Sequence, residues 1–311
     1  MATSIRSMQT RIKSSFIYLA NAVNDLRGNW ATLALVLAPL VLVSALCLLP
    51  DALNLQHELV RKFEPGVRTI AWIPVQAPYA PEAAPAQPLF PHWVLALLHL
   101  VLALVTFVVN LVVLCAIKRI QAGARKARIL NEAIEIYRDA IALAPAFFWI
   151  LLLQLIAIAV GLVLLVIPGL LAMVWLYFAQ YALVFDNRRS WPALFYSRDL
   201  MRGRFFKVAL RIVVFLAVWS GFNSWVGGAF FAISLLIGPI GILTGALWAT
   251  IFLFDLVAAA VGYATIAFFI AAGVRLYQDL KAIAAQSAGE AHEVSLPPTV
   301  PLGNFTASAT D

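Results

Sequence analysis

The chain has 311 residues, of which 63% are hydrophobic and only 12% charged, with a mean hydropathy of +0.91. A soluble domain carries about 25% charged residues, and a folded sphere in water needs a polar skin. The composition therefore excludes a soluble globular enzyme, a disordered chain and a disulfide scaffold, and leaves a polytopic helical membrane protein. The net charge of +7 does not call for nucleic acid, because cytoplasmic loops of membrane proteins collect Lys and Arg and no aromatic-basic recognition motif accompanies the charge. Cys47 and Cys115 lie in apolar runs without metal-ligand or disulfide-framework spacing, so neither a metal nor another cofactor is expected.

In chain order, Ile5, Met8, Ile12, Phe16, Leu19, Val23, Leu26 and Trp30 recur every three or four residues, the spacing of one helix face. Residues 1–29 are thus read as an amphipathic helix. The first apolar span covers 30–49 and is closed by Pro50-Asp51; it is too long for a cleaved signal peptide. The loop 50–91 begins with a short amphipathic helix over 51–63, and six prolines from Pro74 to Pro91 then predict extended chain. The second span is 92–117. A basic amphipathic stretch follows over 118–143, with Ile120, Ala127, Leu130, Ile134, Tyr137 and Ile141 on its apolar side. Spans at 144–166 and 170–185 flank an Ile167-Pro168-Gly169 turn. A third basic stretch, 187–207, places Trp191, Leu194, Phe195, Met201 and Phe205 opposite its arginines. Spans at 208–237 and 242–274 flank Gly238-Pro239-Ile240-Gly241. The tail from Ser287 is rich in Ala, Ser, Thr and Pro and is expected to be disordered.

Orientation follows from the bases. Residues 1–29 hold four, 118–143 six and 187–207 six, whereas the loop 50–91 holds three offset by four acids and the two Pro-Gly turns hold none. This alternation places both termini and the basic connectors in the cytoplasm. The expected fold is all-α: six transmembrane helices as three hairpins, each preceded by a cytoplasmic amphipathic helix. The divisions are 1–29, 30–117, two repeated units in 118–286, and the tail 287–311. Asp25-Leu26-Arg27-Gly28 before span one echoes Asp199-Leu200-Met201-Arg202-Gly203 before span five, which supports an internal repeat.

The stretch Ile167-Pro168-Gly169, the span that follows it, and Ala193-Leu194 with Ser197, Leu200 and Gly203 resemble the membrane domain attached to some bacterial glycerophosphodiester phosphodiesterases and its stand-alone relatives. The likeness covers about 167–207. It implies a bacterial inner-membrane domain. It does not imply phosphodiesterase activity, which belongs to a separate soluble barrel of roughly 200 residues or more; only 36 residues follow position 275.

Several side chains are candidates for chemistry. Asp255 lies near the middle of span six, where an ionisable group costs roughly 2.5–3.5 kcal/mol and marks a functional suspect. A hairpin about Pro239 puts it level with Asn223, between Ser220 and Ser224. Gln154 and Gln180 are level across Pro168, and Asn110 sits in the inner half of span two. Such groups serve either as polar glue between helices or as the lining of one path. His92 and His99 are about 10 Å apart along a helix, too far for one ion. Arg125, Lys126, Arg128, Arg198, Arg202 and Arg204 are positioned to contact anionic headgroups. The resulting expectation is a non-enzymatic inner-membrane protein in envelope or lipid homeostasis. Its partners are membrane lipids, with a protein partner or second copy as a further possibility. The alternative is a small transporter or channel with a proton or cation relay at Asp255.

Overall fold

The computed structural model describes residues 12–67, 88–123, 129–244 and 247–295. Among them every regular element is helical: α1 (Ser15–Arg27), α2 (Trp30–Val67), α3 (His92–Gln121), α4 (Ile129–Leu164), α5 (Val166–Leu176), α6 (Ala179–Asp186), α7 (Trp191–Met201), α8 (Phe205–Thr244) and α9 (Leu247–Ser295). Among the described residues, six segments are long and apolar enough to cross a bilayer: Trp30–Leu55 of α2, all of α3, all of α4, Val166–Asp186 across α5 and α6, Phe205–Ile237 of α8 and Trp248–Ser287 of α9. This is the pattern of a multi-pass membrane protein. Large apolar side chains left uncovered along α4 and α8, such as Val160, Leu164, Leu210 and Trp225, have hydrocarbon as their natural surroundings.

Prolines end fewer helices than the sequence suggested. α2 runs through Pro50 to Val67, α4 joins the basic stretch to its span through Pro145, and α8 continues past Pro239 to Thr244. In water an interior proline costs about 3 kcal/mol and stops a helix. In an apolar span the alternative is several unpaired backbone groups, so a proline interrupts one hydrogen bond and the helix goes on. The turn between α4 and α5 likewise comes one residue before Val166, at extended Leu165, and Pro168-Gly169 form the first turn of α5. Gly161 and Gly169 are required there by close approach: a Cβ on Gly161 would lie 2.8 Å from Gly169 Cα. The tail expected from Ser287 is helical as far as Ser295; Ile5, Met8, most of the proline-rich loop, and Arg125, Lys126 and Arg128 lie outside the described residues.

The core is concentrated in one half of the bundle. Every residue of α3 from Leu111 to Ile117 is buried, against Phe147 and Ile150 of α4 and Phe178, Ala182 and Leu183 around α6. From α9, Ala267, Ala271, Ala272 and Val274 complete it. Small residues at these contacts let backbones come close, which matters because lipid offers no hydrophobic penalty for separating helices.

α1 and α7, from the first and third basic segments, are packed into the bundle, and each divides its apolar residues. In α1, Tyr18, Leu19, Ala22 and Leu26 are buried, while Phe16 and Val23, read from sequence as the same face, are exposed, as is Trp30 at the start of α2. In α7, Leu194 and Met201 are buried with Ala193, Ser197 and Leu200, and Trp191 and Phe195 are exposed. Gly203, at φ +77°, supplies the left-handed residue that joins α7 to α8.

Candidate functional site

The fourth span is broken. In a continuous helix the carbonyls of Trp175 and Leu176 would receive the amides of residues 179 and 180. Instead α5 stops at Leu176, Phe178 takes φ −87° and ψ 1°, and α6 restarts at Ala179. At membrane depth the freed groups must find partners within the protein. Ser197 Oγ donates to the Trp175 carbonyl at 2.6 Å and accepts the Phe178 amide at 3.2 Å. Gln154 Nε2 donates to the Leu176 carbonyl. Gln180 Nε2 then donates to Gln154 Oε1 at 3.1 Å. Ser197 is wholly buried, so the Ala-Leu-x-x-Ser-x-x-Leu run of α7 is the face that docks onto this break.

Beside the break lies a partly open groove of about 460 Å³ between α3, α4, α5 and α6 on one side and α8 and α9 on the other. Its walls are apolar, including Leu155, Ile158, Leu216 and Phe269. Its polar lining is uncharged and comes from Asn110, Gln154, Tyr177, Gln180 and Tyr181. Asn110 Nδ2 donates to its own helix, to the Thr106 carbonyl at 2.8 Å. Tyr181 Oη donates to Tyr177 Oη at 3.4 Å. The two rings join an aromatic cluster, Tyr177 edge-on to Phe178 and Tyr181 stacked on Tyr277, made possible by Gly273, where a Cβ would collide with the Tyr181 hydroxyl.

The other predicted polar residues are elsewhere. Ser220, Asn223 and Ser224 are exposed on α8, and Asn223 Nδ2 donates to the Trp219 carbonyl of its own helix at 2.8 Å. Phe254 packs edge-on against Phe230 with centroids 5.7 Å apart, so Asp255 is level with residues near 230, about 10 Å from Asn223 along the axis. The expected pairing of Asp255 with Asn223 assumed a turn at Pro239, which α8 overruns. Asp255 is half-buried, with Asp51 of α2 as its charged neighbour. Asp51 in turn lies 3.7 Å from His99 Nε2. Among the described residues, the predicted polar side chains thus do not line one path: Asn110, Gln154 and Gln180 share the groove, Asp255 lies beside Asp51, and Ser220, Asn223 and Ser224 stand apart on the exposed side of α8.

The end of the bundle that carries the basic segments is tied together by charge. Arg275 of α9 makes a bidentate pair with Asp25 of α1, at 2.7 and 2.5 Å. Tyr18 Oη donates to Asp279 at 2.8 Å, and burial, reinforced by that carboxylate, pushes the Tyr18 phenol well above its ordinary pKa. Tyr277 donates to Asp186 at 2.5 Å, and Lys281 pairs with the same carboxylate. Arg119 bridges Asp139 and Glu135. Around this network Arg198 and Arg202 are exposed and Arg204 half-buried, and Arg188 lies 3.8 Å over the Tyr196 ring. Trp191 and Phe195, 57% and 54% exposed, stand on the same short helix as Arg198.

Sequence reasoning missed Ser197 as a structural hydroxyl, although its motif was visible. It also missed the partners of Asp25, Asp186 and Asp279, whose bonds cross 250, 91 and 261 residues and leave no local trace. Among the described residues, no group of three His, Cys, Asp or Glu could hold a metal ion. No protein-family model, curated protein or solved structure matches the chain, so the likeness of 167–207 to the phosphodiesterase membrane domains rests on its motif alone.

Proposed function

We propose that this chain is a non-enzymatic protein of the bacterial inner membrane, with both termini in the cytoplasm, that engages the cytoplasmic leaflet and serves envelope or lipid homeostasis. The observation that carries the reading is the α7 surface, where exposed Arg198 and Arg202 stand beside exposed Trp191 and Phe195. Aromatic rings next to cationic side chains suit the headgroup layer: the rings enter the acyl boundary and the guanidinium groups meet anionic lipid, at about 1 kcal/mol per basic residue. The three-hairpin arrangement, with an amphipathic segment before each hairpin, belongs to the same proposal.

The test is lipid selectivity in mixed bilayers. Spin-labelled phosphatidylglycerol is expected to associate with wild type more strongly than spin-labelled phosphatidylcholine, and the preference should weaken in salt. Reversing Arg198, Arg202 and Arg204 to Glu should abolish it, and Asp255→Asn should leave it intact. Equal association of both lipids with wild type would overturn the reading. Proton-coupled flux through reconstituted protein, lost in Asp255→Asn, would replace it with transport.

A further inference from the structure

We infer that the groove between α5 and α8 is a binding site for a single ester-linked glycerolipid, held at its acyl-glycerol region. The inference deepens the membrane-lipid reading above and rests on it only for the presence of a bilayer.

Three observations converge. The groove lies between segments apolar enough to span a membrane, is partly open and is walled mainly by apolar side chains, so a molecule of the bilayer suits it. Its volume, about 460 Å³, is within the roughly 300–1,000 Å³ of small-molecule sites. Its polar lining is uncharged and keeps hydrogen-bonding capacity beyond the bonds it makes. Asn110 and Gln180 each use one amide hydrogen, on Thr106 and Gln154, which leaves both side-chain carbonyls and a second N–H on each amide. Tyr177 accepts from Tyr181 and keeps its own hydroxyl proton to donate. Plain hydrocarbon would leave these groups unpaired at a cost. An ester carbonyl can accept from the Tyr177 hydroxyl and from the Gln180 amide.

The absence of charge among the lining residues excludes a phosphate in the groove itself. The groove nevertheless reaches towards the basic end. Its lining starts at Ile212, next to Arg211, whose guanidinium holds the carbonyls of Ile12 and Lys13 at 3.0 and 2.9 Å. A lipid with its ester region at Tyr177 and Gln180 has its headgroup directed to that end and its chains along Leu155, Ile158 and Trp219.

The experiment uses the whole protein in nanodiscs made of equal parts of diester and diether phosphatidylcholine with matched chains. The protein is then extracted in mild detergent, and retained lipid is counted by native mass spectrometry. Ether lipids lack the carbonyl acceptors, so each neutral hydrogen bond lost is worth about fivefold and a diester preference of about fivefold or more is expected. Tyr177→Phe should reduce that preference towards unity. Leu216→Trp fills the groove and should empty it of lipid. Val213→Trp, on the same helix but outside the groove, should not.

Equal retention of the two lipids by wild type, or a diester lipid retained undiminished by Leu216→Trp, would mean annular lipid only and would overturn the inference. The wild-type competition stands even where a variant fails to fold. Both probes are zwitterionic, so the two readings separate. A filled groove without anionic selectivity sinks the surface reading alone; anionic selectivity with an empty groove sinks this one alone.

Discussion

Replacing Ser197 by Ala tests the account of the broken span directly. The change removes one oxygen from a wholly buried site and creates almost no cavity, so its cost is the cost of two stranded backbone groups. The Trp175 carbonyl loses its donor at 2.6 Å and the Phe178 amide its acceptor at 3.2 Å. Each buried unpaired group costs about 1–3 kcal/mol, which gives about 2–4 kcal/mol for the pair after partial relaxation. For a chain of this size, 1 kcal/mol moves Tm by about 2 °C, so a drop of about 4–8 °C is expected. Thermal unfolding in detergent, followed by tryptophan fluorescence, measures it. Ser220→Ala, at an exposed serine of α8, is the control and should change stability by less than about 0.5 kcal/mol. A Ser197→Ala protein melting within about 1 °C of wild type would refute the idea that the hydroxyl sustains the break.

Gly161→Ala should cost about 1–3 kcal/mol in the same melt, because its new methyl meets the Gly169 backbone and not a movable side chain; a neutral result would mean that α4 and α5 separate freely. Arg275→Gln should cost about 2–3 kcal/mol, as expected for a bidentate charged hydrogen bond that is only partly exposed. A double-mutant cycle with Asp25→Asn should recover a coupling of about 1–2 kcal/mol, and strict additivity would show the pair to be incidental. Tyr18 gives a pH signature. Its folded pKa is raised, so its stabilisation is fully present below the unfolded value of about 10 and is lost as pH rises beyond it. The Tm gap between wild type and Tyr18→Phe should therefore shrink between pH 9 and pH 11, and a gap that widens would reverse the assignment.

Hydropathy made the spans legible because it is a property of consecutive residues. The pairing of Gln154 with Gln180 was within reach for a similar reason: the turn between α4 and α5 falls close to where Pro168-Gly169 suggested, so the levels of the two side chains were nearly right. Asp255 shows the opposite case. Its partner was inferred by folding the chain at Pro239, and a shift of that turn by a few residues moves every facing position by about 1.5 Å per residue on each helix. The division of α1 and α7 into buried and exposed apolar faces was also hidden. In a membrane both protein and lipid welcome apolar side chains, so periodicity identifies a helix without saying which medium each face meets. Tyr18 with Asp279 and Asp25 with Arg275 join the first helix to the last, and no local pattern encodes such a choice.

That last connection has a consequence for biogenesis. α1 leaves the ribosome long before α9, and its carboxylate and phenol find their partners only there, 250 and 261 residues later. At about 5–20 residues per second, Asp25 waits on the order of 10–50 s for Arg275. Asp186 waits for Tyr277 and Lys281, and Gln121 for Gln278. Until α9 is inserted, the nascent chain presents these polar groups without their partners at one end of an otherwise apolar assembly. This makes α9 the piece that closes the polar network.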